Sequence, residues 1–150
     1  YTFGKAMGIH GACVVGSAVL INYLINFSRP FIYTTALPPH NVVAVECAFD
    51  FLRDHIYLQR QLQERIKQYH QLTSSWNPTT SQSAIQTVVV PGNGEVKAVA
   101  YRLQQDGFDV RAILSPTVPV GTERLRICLH TFNSAEQIAA LAHAIHQAIQ

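Results

Sequence analysis

The chain has 150 residues, 48% of them hydrophobic, and a formal net charge of +2. That balance describes one ordinary globular unit or part of one, and excludes a disordered chain. With no block of Lys and Arg, it gives no reason to expect nucleic acid or an anionic membrane as partner. Three cysteines, Cys13, Cys47 and Cys128, are odd in number and form no Cys-x-x-Cys. They are expected to be small core residues in a reducing cytoplasm, with no disulfide and no zinc.

The chain opens on Thr2-Phe3-Gly4-Lys5-Ala6-Met7-Gly8, with no basic-then-apolar leader, so no secretory signal is expected. Lys5 stands among residues too small to crowd whatever it holds. A lysine amine becomes a nucleophile toward a carbonyl when desolvation or a nearby cation lowers its pKa. Glycine nearby lets a planar group approach the backbone closely. A solvated lysine in a turn accounts for the heptapeptide as well, but a P-loop does not, since no Ser or Thr follows the Gly-Lys pair. His10 is read as local packing.

Gly11 to Val15 is a short apolar run suited to a strand, and Ser17 is placed to cap a helix ending near Phe27. The apolar stretch Ala12–Phe27 falls short of a membrane span and is interrupted by Gly16, Ser17, Asn22 and Asn26. Phe31 to Thr35 is β-rich and ends against Pro38-Pro39. From residue 41, Val42, Val45, Phe49, Leu52, Ile56, Leu62 and Ile66 recur at mostly three- and four-residue intervals, which predicts one long helix over 41–72. The Ser, Thr and Asn of 73–83 mark a connector.

Beyond it, 84–90 reads as a strand, 91–94 as a turn, and 95–105 as a helix with Val96, Val99, Ala100 and Leu103 inward. Residues 108–114 and 124–130 are further strands. In the second, Leu125, Ile127 and Leu129 alternate with Arg124, Arg126, Cys128 and His130, so one face is buried. Ser134 with Gln137 forms a capping box ahead of a helix whose apolar stripe is Ile138, Leu141, Ala142, Ile145 and Ile149. The order α-β-α-β-β-α predicts a small α/β sandwich with helices against one sheet. Gly92-Asn93-Gly94 has Lys97 where a dinucleotide turn needs its third glycine, and reads as an ordinary turn. His143 and His146 lie one helical turn apart without a third metal ligand in view.

Three segments carry a family resemblance in order: the Lys5 heptapeptide, Arg29-Pro30-Phe31-Ile32-Tyr33-Thr34-Thr35-Ala36-Leu37-Pro38-Pro39, and Ser115-Pro116-Thr117-Val118-Pro119-Val120-Gly121-Thr122-Glu123-Arg124-Leu125-Arg126-Ile127. Together they resemble the α-oxoamine synthases, fold-type I enzymes that use pyridoxal phosphate. The Ser83-Ala84-Ile85-Gln86 and Pro-Thr-Val-Pro runs favour the branch that joins L-alanine to a pimeloyl thioester, with loss of carbon dioxide, in biotin synthesis.

The resemblance implies an α/β chain: the end of a cofactor-binding large domain at 1–40, and a C-terminal small domain at 41–150 that opens on the long helix. In the family the lysine lies past the middle, so the chain would be a C-terminal portion. It would lack the ring-stacking histidine and the aspartate on the pyridine nitrogen, and alone would not hold the ring. The resemblance further implies that Lys5 binds the cofactor and moves the α-proton. Thr2 would bind the cofactor phosphate, and Thr34 would reach it across a homodimer interface. Arg126 would hold the substrate α-carboxylate, and Thr117, whose backbone the flanking prolines should hold extended, would contact the acyl substrate. Siblings that take glycine or serine are distinguished poorly by these motifs, and a non-catalytic subunit of the same fold is the alternative of another class.

Overall fold

A computed structural model describes residues 1–78 and 81–150, and divides into two compact units, 1–56 and 57–150. The second unit is built as its periodicities predict. Helix α4 (Ile56–Thr73) leads to strand β1 (Ile85–Val89), helix α5 (Asn93–Gln105), strands β2 (Arg111–Ile113) and β3 (Arg124–Cys128), and helix α6 (Ala135–Ile149). The predicted connector 73–83 includes two residues, 79 and 80, that lie outside the described residues. Both outer strands pair antiparallel with β3, giving the order β1-β3-β2.

The helices cover one face of this sheet. Val96, Val99, Ala100 and Leu103 of α5 pack with Leu125 and Ile127 of β3, Val88 of β1, Ile138, Leu141 and Ile145 of α6, and Ile66 and Tyr69 of α4. Gln86, the polar residue that β1 turns inward, is fully buried. Its amide donates to the carbonyls of Ser81 and Ser83 at 3.3 and 2.6 Å, and its carbonyl lies 3.0 Å from His70 Nε2. A buried amide is tolerated when its hydrogen-bonding groups are met. The capping box holds α6 at its start: Ser134 Oγ accepts from the Gln137 N–H, and the Gln137 side chain accepts from the Ser134 N–H.

The first unit departs from expectation in three places. Residues 11–15 form no strand; the pairing there is one bridge, Thr2 to Ala12. Phe31 to Thr35 is not extended either. A short helix α2 (Arg29–Ile32) places Pro30 in its first turn, where a missing N–H costs nothing, and the Ser28 carbonyl accepts from the Phe31 and Ile32 N–H groups. Local turn geometry thereby overrides β propensity. Helix α1 (Ala18–Phe27) does form, with Ser17 Oγ accepting from the Leu20 N–H as its sequence predicts.

The single helix expected over 41–72 is two. Helix α3 (Pro39–Asp54) stops at His55, whose φ and ψ of −119° and 41° leave the helical range. The His55 ring stacks on Phe51 at 4.0 Å and its Nδ1 lies 2.8 Å from the Phe51 carbonyl, a local alternative to continuing the helix. The compact units divide at 56/57, next to this break. The cysteines also differ from expectation: Cys13 is half-buried, and Cys47 and Cys128 are exposed. Among the described residues no helix is long and apolar enough to cross a membrane.

Candidate functional site

Lys5 sits at the tip of a hairpin-like loop at the start of the first unit. The Phe3 N–H donates to the Gly11 carbonyl at 2.9 Å and the Cys13 N–H to the Tyr1 carbonyl at 2.9 Å, closing its base. The Gly8 N–H donates to the Lys5 carbonyl at 3.0 Å, which turns the chain. Gly8 has φ +64°, a left-handed conformation that suits glycine. A Cβ placed on Gly4 would meet nothing within 4 Å, so the backbone beside Lys5 faces open space. The Lys5 side chain is exposed, with no hydrogen bond or ion pair recorded among the described residues.

Thr2 occupies one arm of the same loop and is exposed. It lines an apolar groove of about 570 Å³ whose walls include Tyr1, Cys13, Ile21, Leu24 and Phe31. Thr34, exposed in a bend just after α2, belongs to the same unit. It does not stand on the strand its neighbours suggested, because α2 ends only two residues before it.

The second unit carries Thr117 and Arg126. Thr117 is exposed in a turn, where its flanking prolines had implied extended backbone; the Val118 N–H closes that turn on the Leu114 carbonyl at 3.1 Å. Arg126 projects from the middle of the central strand onto the face opposite the core, as the alternation predicted. Its recorded polar contact is a weak one, Nη2 to Cys128 Sγ at 3.9 Å, and among the described residues no carboxylate forms an ion pair with it. A planar fork left free on a rigid strand suits a bidentate carboxylate. Arg124 is committed elsewhere: it is half-buried and its Nε donates to the Thr122 carbonyl at 2.9 Å.

Two residues that the motif reading did not single out hold the Thr117 turn at both ends. Asn93, first in α5, accepts from the Ser115 N–H at 3.0 Å and donates to the Ser115 carbonyl at 3.3 Å. Glu123 is 2% exposed, and its Oε2 accepts from the N–H groups of Gly92 and Gly121, each at 2.9 Å. The Gly92 bond leads in holding the Glu123 carboxyl below its ordinary value, with its own N–H and that of Gly121 adding to it against the cost of burial. No local signal in the sequence marks the Asn93–Ser115 and Glu123–Gly92 contacts, because those partners lie 22 and 31 residues apart. Of the histidines weighed for metal, His146 instead stacks on Trp76 at 5.2 Å. Among the described residues no His, Cys, Asp and Glu gather in a metal-sized group.

The family model for aminotransferase class I and II matches residues 1–145. The chain is 41% identical to 8-amino-7-oxononanoate synthase of Klebsiella pneumoniae over 97% of its own length and 39% of that relative's. It is 38% identical to the enzyme of the same name from Pseudomonas entomophila, over 96% of this chain and 37% of the other. Among solved structures, 8-amino-7-oxononanoate synthase of Francisella tularensis superposes with a TM-score of 0.83 at 28% identity, covering 97% of this chain and 43% of that one. Serine palmitoyltransferase of Sphingomonas wittichii gives 0.83 at 25% identity, covering 98% and 38%. The chain thus spans about two-fifths of the length of the relatives it matches.

Proposed function

The chain belongs to the aminotransferase class I and II family, and on that premise we propose that the complete protein is a pyridoxal-phosphate-dependent acyltransferase. It condenses L-alanine with a pimeloyl thioester and releases carbon dioxide, the 8-amino-7-oxononanoate synthase reaction of biotin formation. The observation that carries this reading is the 38–41% identity to enzymes of that name across nearly the whole chain. The residues present fit the cofactor: Lys5 has an uncommitted amine beside open backbone at Gly4, and Thr2 and Thr34 offer exposed hydroxyls.

Pyridoxal phosphate, when bound, supplies a ring that accepts electron density from a carbanion. Lys5 would hold the cofactor through its amine, and would take the proton from the alanine α-carbon and later return one. Its tethering near that carbon makes the transfer effectively intramolecular. Thr2 and Thr34 would hold the cofactor phosphate by hydroxyl hydrogen bonds, Thr34 in the site of the second subunit of a homodimer. Arg126 grips the alanine carboxylate with two parallel charge-assisted bonds, which orients the bond that breaks on decarboxylation. Thr117 contacts the acyl chain. In this reading 1–40 is the end of the cofactor-binding large domain and 41–150 the C-terminal small domain of a cytoplasmic enzyme.

The likeness to serine palmitoyltransferase supports a second reading, a sibling that keeps the chemistry and takes another amino acid; glycine C-acetyltransferase and 5-aminolevulinate synthase belong with it. Thiol release by the complete protein, offered alanine, glycine or serine in turn, separates these. Alanine-dependent release with the mass of the decarboxylated product is expected. Lys5→Ala should reduce it to background while the protein stays folded, and full activity in that variant would remove Lys5 from its role.

A further inference from the structure

The open face of the second unit's sheet holds a second arginine that the motif reading did not use. In the β2–β3 pairing Arg111 stands directly opposite Arg126, and both are exposed. Directly paired residues of antiparallel strands project to the same face with Cβ atoms about 5 Å apart, and like charges placed so repel. On the other side of Arg126 the paired residue is Thr87, which is uncharged. The acid recorded against this pair is Asp109, whose Oδ1 lies 2.8 Å from Arg111 Nε; both side chains are mostly exposed, 76% and 69%. An exposed pair of this kind holds weakly, and it engages one edge of the guanidinium, leaving other donors free. Arg126 has its weak contact to Cys128 and no ion pair among the described residues. Two arginines paired across neighbouring strands with one loosely held counter-charge suit two anionic groups presented together.

Resting on the reading that Arg126 takes the amino acid's carboxylate, we propose that Arg111 and Arg126 form a two-part anion site in which Arg111 binds an anionic group of the acyl thioester. Arg111 thereby selects for a charged acyl donor. Two parts of such a donor have this chemistry: a carboxylate at the far end of the acyl chain, and the phosphates of coenzyme A.

The test uses the complete protein with its cofactor, as wild type, Arg111→Gln and Arg111→Lys, on four donors: pimeloyl and heptanoyl chains, each on coenzyme A and on phosphate-free N-acetylcysteamine. In Arg111→Gln the KM for pimeloyl-CoA should rise about tenfold relative to the KM for alanine, the scale expected for one charge-assisted contact. Arg111→Lys should recover part of it. Loss of the effect with heptanoyl chains identifies the carboxylate as the ligand, and its loss on N-acetylcysteamine identifies the phosphates. The same KM shift on all four donors, or none on any, overturns the site. If wild type turns over no donor, the parent reading of the activity fails instead. Calorimetry with free pimelate and free coenzyme A then still decides the site: one of them should bind wild type about tenfold more tightly than Arg111→Gln, and equal binding overturns the proposal.

Discussion

The two units contain comparable apolar material and use it differently. In the second, α4 to α6 close over one sheet face, and Tyr69, Leu103, Leu125, Ile138 and Ile145 are essentially inaccessible to solvent. In the first, Phe3 is the buried hydrophobic residue, while Val19, Tyr23, Phe27, Phe31, Val42 and Phe49 are more than half exposed and α1 and α3 bury none of their residues. The second unit supplies both sides of its own core. The first has apolar faces without matching surfaces among its own residues. Isolated helices of this length are marginal in water.

The sharpest way to break this contrast is to separate the units. Residues 57–150 expressed alone should unfold in urea as one cooperative transition, and 1–56 alone should show none; a cooperative melt of 1–56 would refute the difference. Next in size, Ile145→Ala should cost the second unit about 2–5 kcal/mol, the range for a truncated buried aliphatic residue. Val19→Ala, at 80% exposure, should stay within about 0.5 kcal/mol. Equivalent caps then test cooperativity: Ser134→Ala should lower the stability of the second unit by about 1 kcal/mol, while Ser17→Ala reduces helix signal by circular dichroism without moving that transition.

The smallest effect concerns pH. The Glu123 carboxyl is held below its ordinary value of 4.5 by the Gly92 N–H and its companions. Its contribution is therefore complete above pH 4.5 and is lost as pH falls below that. Glu123→Gln should flatten the acid limb of the stability profile, and an unchanged acid limb would mean that other carboxylates set it.

Most of the second unit was legible in the sequence because its signals are local. The α6 stripe, the Ser134–Gln137 box, the α5 stripe and the alternation along β3 each involve residues a few positions apart, and each element forms where those signals lie. The errors fall where propensity met a competing local device. β-rich residues 31–35 lost to a proline-started turn, and the 41–72 periodicity ran unbroken across a histidine that folds back on the preceding turn. For the candidate site, the sequence marked Lys5 by its setting, and strand alternation placed Arg126 on the open face, its choice over Arg124 coming from the resemblance. Thr2, Thr34 and Thr117 came from the family resemblance alone.

The sequence by itself determined which residues could do chemistry and which face of each helix and strand is apolar, because both follow from side-chain type and a period of two or 3.6. Only the tertiary structure decided that Arg111 pairs with Arg126, that Glu123 joins Gly92 to Gly121, and that Asn93 holds Ser115. Strand register and long-range hydrogen bonds depend on how separate segments meet when the core closes, and no short window of the chain contains both partners.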